Sequence, residues 1–496
     1  MPAFATSPIT KPLTRRRLLA AAGGSTLLAA CGGGADGGDA GSGSPPGSGN
    51  PPGGGRPPGQ TPGSPGEPGG PAIAGFEADR QTAFVGERVR LTVRFSGGTA
   101  RIDPDLGPVT SGVPLTTPVL DRDRQWTLVV SAPGRQDVER TLSVTVGYRD
   151  RYAALGGAFA VSQHAAVSAD DGRVILIGGS RGAGVLSDAI DAFDPRTNGV
   201  LPLGTLASGR ALARATRLID GRILVSGGVT SRIDAPHAEW IDERSGRSTP
   251  AAPMSTRRLH HAALRLADGR VLLTGGITTG EGHDLGISDS AEVWEPRTGH
   301  FRRLAAPMSI PRTSHTMTLL PDGRVLVVGG HSTAVPYRLA EIFDPQREVF
   351  VPIEQSGAVR AEHVAHLSPD GRHVLVLGGE TVAAGSDDPI PLASVLRFDR
   401  VLGLFEPLPA LSAPRTLAGS VMLPSGQVLL FGGQERVERH SASAERYDPA
   451  AGGQALAALD GERSYHSVNR LPDGRVLVVG GESRAGTLAA TVLGYH

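Results

Sequence analysis

Leu471-Pro-Asp-Gly-Arg-Val-Leu-Val-Val-Gly-Gly481 is one of seven versions of a single phrase in this chain of 496 residues. A short apolar run, in most versions preceded by Asp-Gly-Arg, ends in a glycine pair. The other six pairs are Gly178-Gly179, Gly227-Gly228, Gly275-Gly276, Gly329-Gly330, Gly378-Gly379 and Gly432-Gly433. The first glycines stand 49, 48, 54, 49, 54 and 48 residues apart. A period near fifty marks one supersecondary unit repeated around an axis.

Each unit reads as four strands, which makes the chain all-β. The inner strand comes before Asp-Gly, a pair chosen for the positive φ angles of a tight hairpin. The apolar run is second. It carries no alternation, as a strand buried on both faces should not. A third strand ends in an aromatic-acid pair: Phe193-Asp194, Trp294-Glu295, Phe343-Asp344, Phe398-Asp399, Tyr447-Asp448. A fourth follows the next turn. The last unit stops at Thr491–His496, in third-strand position. Asp150–Ala154 stands ahead of the first unit, where a fourth strand would lie. The spacing therefore predicts a seven-bladed β-propeller over 148–496, closed by its N-terminal strand so that no sheet edge is left free.

The Asp-Gly turn, the glycine pair and the aromatic-Asp ending resemble the kelch repeat. The tryptophan usual in the fourth strand of that family is missing; Phe301, Phe350 and Phe405 stand there in three units. The resemblance implies a kelch propeller.

Upstream, the composition changes three times. Residues 1–30 carry Lys11, Arg15, Arg16 and Arg17, then a small-residue apolar stretch too short to span a membrane. Leu28-Ala-Ala-Cys31 resembles the bacterial lipobox, which implies a lipid on Cys31, the only cysteine. Thr14–Leu19 resembles a twin-arginine export signal, with the general secretory route as the alternative. The implied location is the bacterial cell envelope, lipid-anchored at the outer membrane, the cell surface or in the periplasm. Residues 31–72 are mostly Gly, Pro and Ser and cannot bury a core. They read as a tether with a mean reach of roughly 35 Å. Over 73–147, Val89–Phe95, Trp126–Val130 and Thr141–Val146 alternate or run apolar between glycine turns, as in a β-sandwich. This stretch resembles the immunoglobulin-like domains of bacterial surface proteins.

Without residues 1–30 the chain holds 45 basic against 49 acidic residues. No basic field exists to draw nucleic acid. Two recurrent positions stand out on the side of the long loops. Arg210, Arg258, Arg312, Arg360, Arg415 and Arg463 lie three residues before a slot that holds His164, Ala213, His261, His315, His363, Ala418 and His466. Guanidinium forks suit carboxylates and neutral imidazoles suit metals. The same recurrence fits an internal hydrogen bond repeated in every blade, with the acids Asp191, Glu239, Glu292, Glu341 and Glu445 as partners between blades. Two alanines interrupt the histidine ring, so no metal site is expected.

Arg463-Ser-Tyr465-His466-Ser467 resembles the segment of galactose oxidase and its relatives that supplies adjacent Tyr and His copper ligands. The rest of that site is absent. The second-unit position holds Leu212, and Cys31 lies in the lipobox, away from any cross-link to tyrosine. The long-loop charges Glu281, His283, Asp284, Asp387 and Asp388 read as solvated or as cation ligands.

The expectation is an envelope lipoprotein that displays a propeller as a binding module for a glycan or protein. Arg258, Arg312, Arg360, Arg463, His261, His315, His363, Tyr465 and His466 are the candidate ligand contacts. No catalytic residue, cofactor or metal is assigned. The alternative is an envelope enzyme acting on sugars, resembling either the kelch-type mutarotases of sugar acids or the copper oxidases.

Overall fold

The computed structural model describes residues 70–496 apart from 233, 281–282, 332–339, 354–356, 358, 383–387, 437–438, 485–487 and 490. The stretch read as an export signal, Cys31, nearly all of the stretch read as a tether, Glu281 and Asp387 lie outside the described residues, as do the side chains of His283 and Asp284.

No helix occurs among the described residues. From Ala72 to Gly147, a three-stranded and a five-stranded sheet enclose one core built on Phe76, Leu91, Val93, Ile102, Trp126, Leu128 and Val130. The alternation read in the sequence appears in Arg90–Ser96, where Leu91 and Val93 face the core and Arg90 and Arg94 face water.

After Gly147 the described residues form seven four-stranded antiparallel sheets, with shorter pairings beside them. In the first, the strands run Ala165–Ser168, Val174–Ile177, Ala189–Asp194 and Gly199–Thr205, paired in chain order. The inner strands touch one another in sequence order, and the inner strand of the seventh sheet, Ser467–Arg470, returns to that of the first. The second strands are almost dry: Val174–Ile177, Val325–Val328 and Val476–Val479 are buried throughout. Their side chains pack between neighbouring sheets, which is why they are apolar on both faces.

The seventh sheet takes its outer strand from the start of this region. Tyr152–Ala158 pairs with Thr491–Tyr495, with Tyr152 opposite Tyr495 and Ala154 opposite Leu493. Third-strand aromatics are buried, and the fourth-strand phenylalanines lean on them. The Phe343–Phe350 and Phe398–Phe405 centroids are 4.7 and 4.9 Å apart.

The glycine pairs have a shared geometric cause. The N–H of each second glycine donates to the carbonyl at the arginine position of the next sheet, from Gly179 to Arg210 through Gly433 to Arg463, all at 2.7–2.9 Å. Gly481 closes the circle on Val161 at 2.9 Å. All fourteen glycines have positive φ. A Cβ on the first glycine of any pair would run into that same carbonyl, so only glycine lets adjacent sheets approach this closely.

Candidate functional site

The arginines do not open onto solvent. Arg258, Arg312, Arg360 and Arg463 are between 0 and 3 % exposed, and Arg210 and Arg415 are equally buried. Each guanidinium folds into its own sheet and donates to the carbonyl of the first glycine, from 2.8 Å for Arg258–Gly275 to 3.5 Å for Arg463–Gly480. The expected acids are the counter-charges, but within one sheet rather than between two. Arg210 meets Glu239 at 2.8 Å, Arg258 meets Glu292 at 2.9 Å and Arg415 meets Glu445 at 2.8 Å; Arg312 pairs with Glu341. In the seventh sheet Arg463 pairs with Asp460. The first sheet has Val161 in place of arginine, and burial raises the carboxyl of its Asp191. These side chains fasten the sheets internally.

The slot histidines are also structural. Nε2 of His261, His315 and His363 meets the hydroxyls of Ser226, Thr274 and Thr316 at 2.7–2.9 Å, and His164 meets Ser467 at 2.8 Å. Each ring lies edge-on against the first glycine of the preceding sheet. Burial holds them neutral. His164 is lowered to about 4 and His363 and His466 to about 3, with His261 and His315 well below the usual imidazole value. His466 differs: its Nε2 lies against Gly419, and among the described residues it meets no hydroxyl as the other slot histidines do.

Just before each slot, two residues after the arginine position, sits a residue whose type does not recur from unit to unit. Gln163, Leu212, His260, Ser314, Glu362, Leu417 and Tyr465 all adopt left-handed backbone, with φ between 51 and 57°. For non-glycine residues this costs about 1–2 kcal/mol each. Backbone hydrogen bonds join them around the axis. Gln163 donates to Tyr465, Leu212 to Gln163, Ser314 to His260, Glu362 to Ser314 and Leu417 to Glu362, at 3.0–3.3 Å. The seven form a collar where all seven sheets meet.

Of the candidate ligand contacts read from the sequence, Tyr465 alone belongs to this collar. Burial, reinforced by the carboxylates of Glu362, Glu482 and Glu380, pushes its phenol well above the usual range, so it stays protonated. Burial lowers the guanidinium of Arg214, opposed by the charge of Glu362, and its Nε donates to the carbonyl of His261 at 2.8 Å. Glu380 stands 3.2 Å from Nε2 of His331, and Glu482 accepts from the hydroxyl of Ser162 at 2.8 Å. Gln163, Glu362 and Tyr465 are partly exposed, and among the described residues none of their side-chain tips is taken by a hydrogen bond. Residue types vary from unit to unit here, so a search for recurring side chains passes over the position. Its constant offset from the arginine was the available signal.

No family model matches this chain, and no curated protein matches it. Among solved structures, a fungal alcohol oxidase described as showing catalytic diversity among the AA5 family, in complex with copper, superposes with a TM-score of 0.57 at 16 % identity, covering 70 % of this chain and 76 % of that one. The fold is propeller-like. The distant resemblance to the galactose oxidase propeller seen around Tyr465 and His466 extends to the architecture.

The residues present do not fit a copper centre of that kind. Tyr465 stands in the collar, whereas His466 turns its ring between the sixth and seventh sheets against Gly419 and Gly432. Leu212 occupies the collar position of the second sheet and brings no donor atom. Among the described residues no group of three or more His, Cys, Asp or Glu is arranged to hold a metal ion.

Proposed function

We propose that the chain is an envelope-tethered display protein whose collar binds a neutral glycan. In this reading a lipid on Cys31 anchors the chain, residues 31–72 form the tether, and residues 73–147 are an immunoglobulin-like spacer. The seven sheets are the blades of a kelch propeller. The observation that carries the binding role is the collar. Gln163, Glu362 and Tyr465 stand with free polar tips on a ring of strained, mutually hydrogen-bonded backbone, and strain of this kind gathers at ligand sites.

The chemistry favours a sugar without a charge. An aromatic ring offers a flat face to the C–H side of a pyranose. A carboxylate and an amide accept from and donate to neighbouring hydroxyls. The arginines that suggested an acidic sugar at the channel mouth are occupied by Glu239, Glu292, Glu341 and Glu445. A glycan array with the purified protein tests the reading. Binding to neutral glycans is expected, with at least a tenfold loss in Tyr465→Ala and Glu362→Gln at unchanged melting temperature. Array signals indifferent to both substitutions would remove the collar as the site.

A further inference from the structure

We propose that the fifth sheet holds a second, independent site, which takes the carboxylate group of a small acid at Arg360. The inference comes from comparing equivalent positions around the ring. In four sheets a glutamate on the third strand bridges the arginine and the residue three positions before it. Glu292 accepts from Arg258 at 2.9 Å and from the N–H of Ser255 at 2.9 Å. Glu239, Glu341 and Glu445 do the same with the N–H groups of Ala207, Ser309 and Ser412 at 2.7–3.0 Å. In the seventh sheet the third strand offers Leu493 instead, and Asp460, three residues before Arg463, supplies the charge.

The fifth sheet has neither. Leu396 stands where the glutamate would be and Gly357 where the aspartate would be. Arg360 is nevertheless 3 % exposed. It donates to the carbonyls of Gly378 and Ser394 at 3.0 and 2.9 Å and to the Ser394 hydroxyl at 3.1 Å, and among the described residues it meets no carboxylate. A buried cation without a counter-charge is costly.

The hydroxyl beside Arg360 is also more open than its counterpart in the third sheet. Ser394 is exposed, while its counterpart Ser290 is 5 % exposed. Gly357 is exposed, its N–H donates to no described group, and a Cβ built on it would meet nothing within 4 Å. Arg360 and the Gly357 N–H thus correspond to the two donors shared by all four glutamates of the other sheets, the arginine and the N–H three residues before it. A ligand carboxylate takes the place of the glutamate.

The test is thermal unfolding of the purified protein with acetate, D-glucuronate or chloride at constant ionic strength. A saturable rise in melting temperature is expected with the carboxylates and not with chloride. A response to acetate equal to that with glucuronate identifies a bare carboxylate site; a stronger response to glucuronate identifies an acidic sugar. Gly357→Asp places a carboxylate as Asp460 does for Arg463, at a φ of 54° that aspartate tolerates. It should melt higher and lose the response. Leu396→Glu, the alternative variant, should behave in the same way. A wild-type protein indifferent to carboxylates, or a Gly357→Asp protein that still responds, overturns the proposal. Glycan binding at the collar is measured separately and stands or falls on its own.

Discussion

Glu292 shows what the buried polar residues do. Its carboxylate and the Arg258 guanidinium are both fully buried. Glu292→Ala leaves a cation sealed in the protein, and a loss of about 3–5 kcal/mol is expected in chemical denaturation. A change under about 1 kcal/mol, the range of an exposed pair, would mean the pair is not holding the third sheet together. The histidines make stability depend on pH. His164, His363, His366 and His466 are lowered by burial to between about 3 and about 4, against 6.5 when unfolded. The unfolded chain therefore binds more protons than the folded one between those limits. The stability these histidines contribute is complete above about pH 6.5 and is lost as pH falls toward 4, by up to about 1.4 kcal/mol per unit for each. Melting curves from pH 7 to 4 should show that slope, and His363→Gln should reduce it.

At the scale of elements, the molecule relies on links between sheets. On the collar side the links are the glycine-pair N–H groups. On the other side they are the arginines after Asp-Gly. Arg173 of the first sheet reaches the carbonyl of Glu243 in the second at 2.8 Å, and Arg475 of the seventh reaches Asn198 of the first at 2.8 Å. The seventh sheet is completed by one strand pair, Thr491–Tyr495 with Tyr152–Ala158, supported by Tyr152, Phe431 and Tyr495 packed at 5.4–6.3 Å. Removing residues 488–496 takes out that pair and exposes two sheet edges. Cooperative unfolding of the whole ring should disappear, as read by calorimetry. A truncated protein that melts like the full chain would show that closure contributes nothing.

Across the whole molecule, the N-terminal sheets dock on the hairpin side of the ring. Arg470 donates to the carbonyl and carboxylate of Asp121 at 2.9 and 3.0 Å, and the Tyr148 hydroxyl donates to Gly474 at 2.8 Å. Gly474 sits so close to Asp121 and Val85 that a Cβ would lie 2.9 Å from each. The collar lies on the opposite side and stays uncovered by these sheets. Arg470→Ala should uncouple the two parts, splitting one calorimetric transition into two. A single unchanged transition would show that other contacts hold them.

Strand order, the four-strand unit and the partner for Thr491–Tyr495 were all legible in residue order, because turn chemistry and burial act locally and repeat. Seven glycine pairs announced where backbones would crowd. The direction of each arginine was not legible: an Arg three residues before the slot can face solvent or its own sheet, and the glycine carbonyl it meets there, joined in four sheets by a glutamate, is brought to it only by strand pairing. The collar was hidden for a related reason. Its members share a backbone conformation and an axis but no side-chain type, and their meeting across seven units, tens to hundreds of residues apart, exists only once the ring has closed.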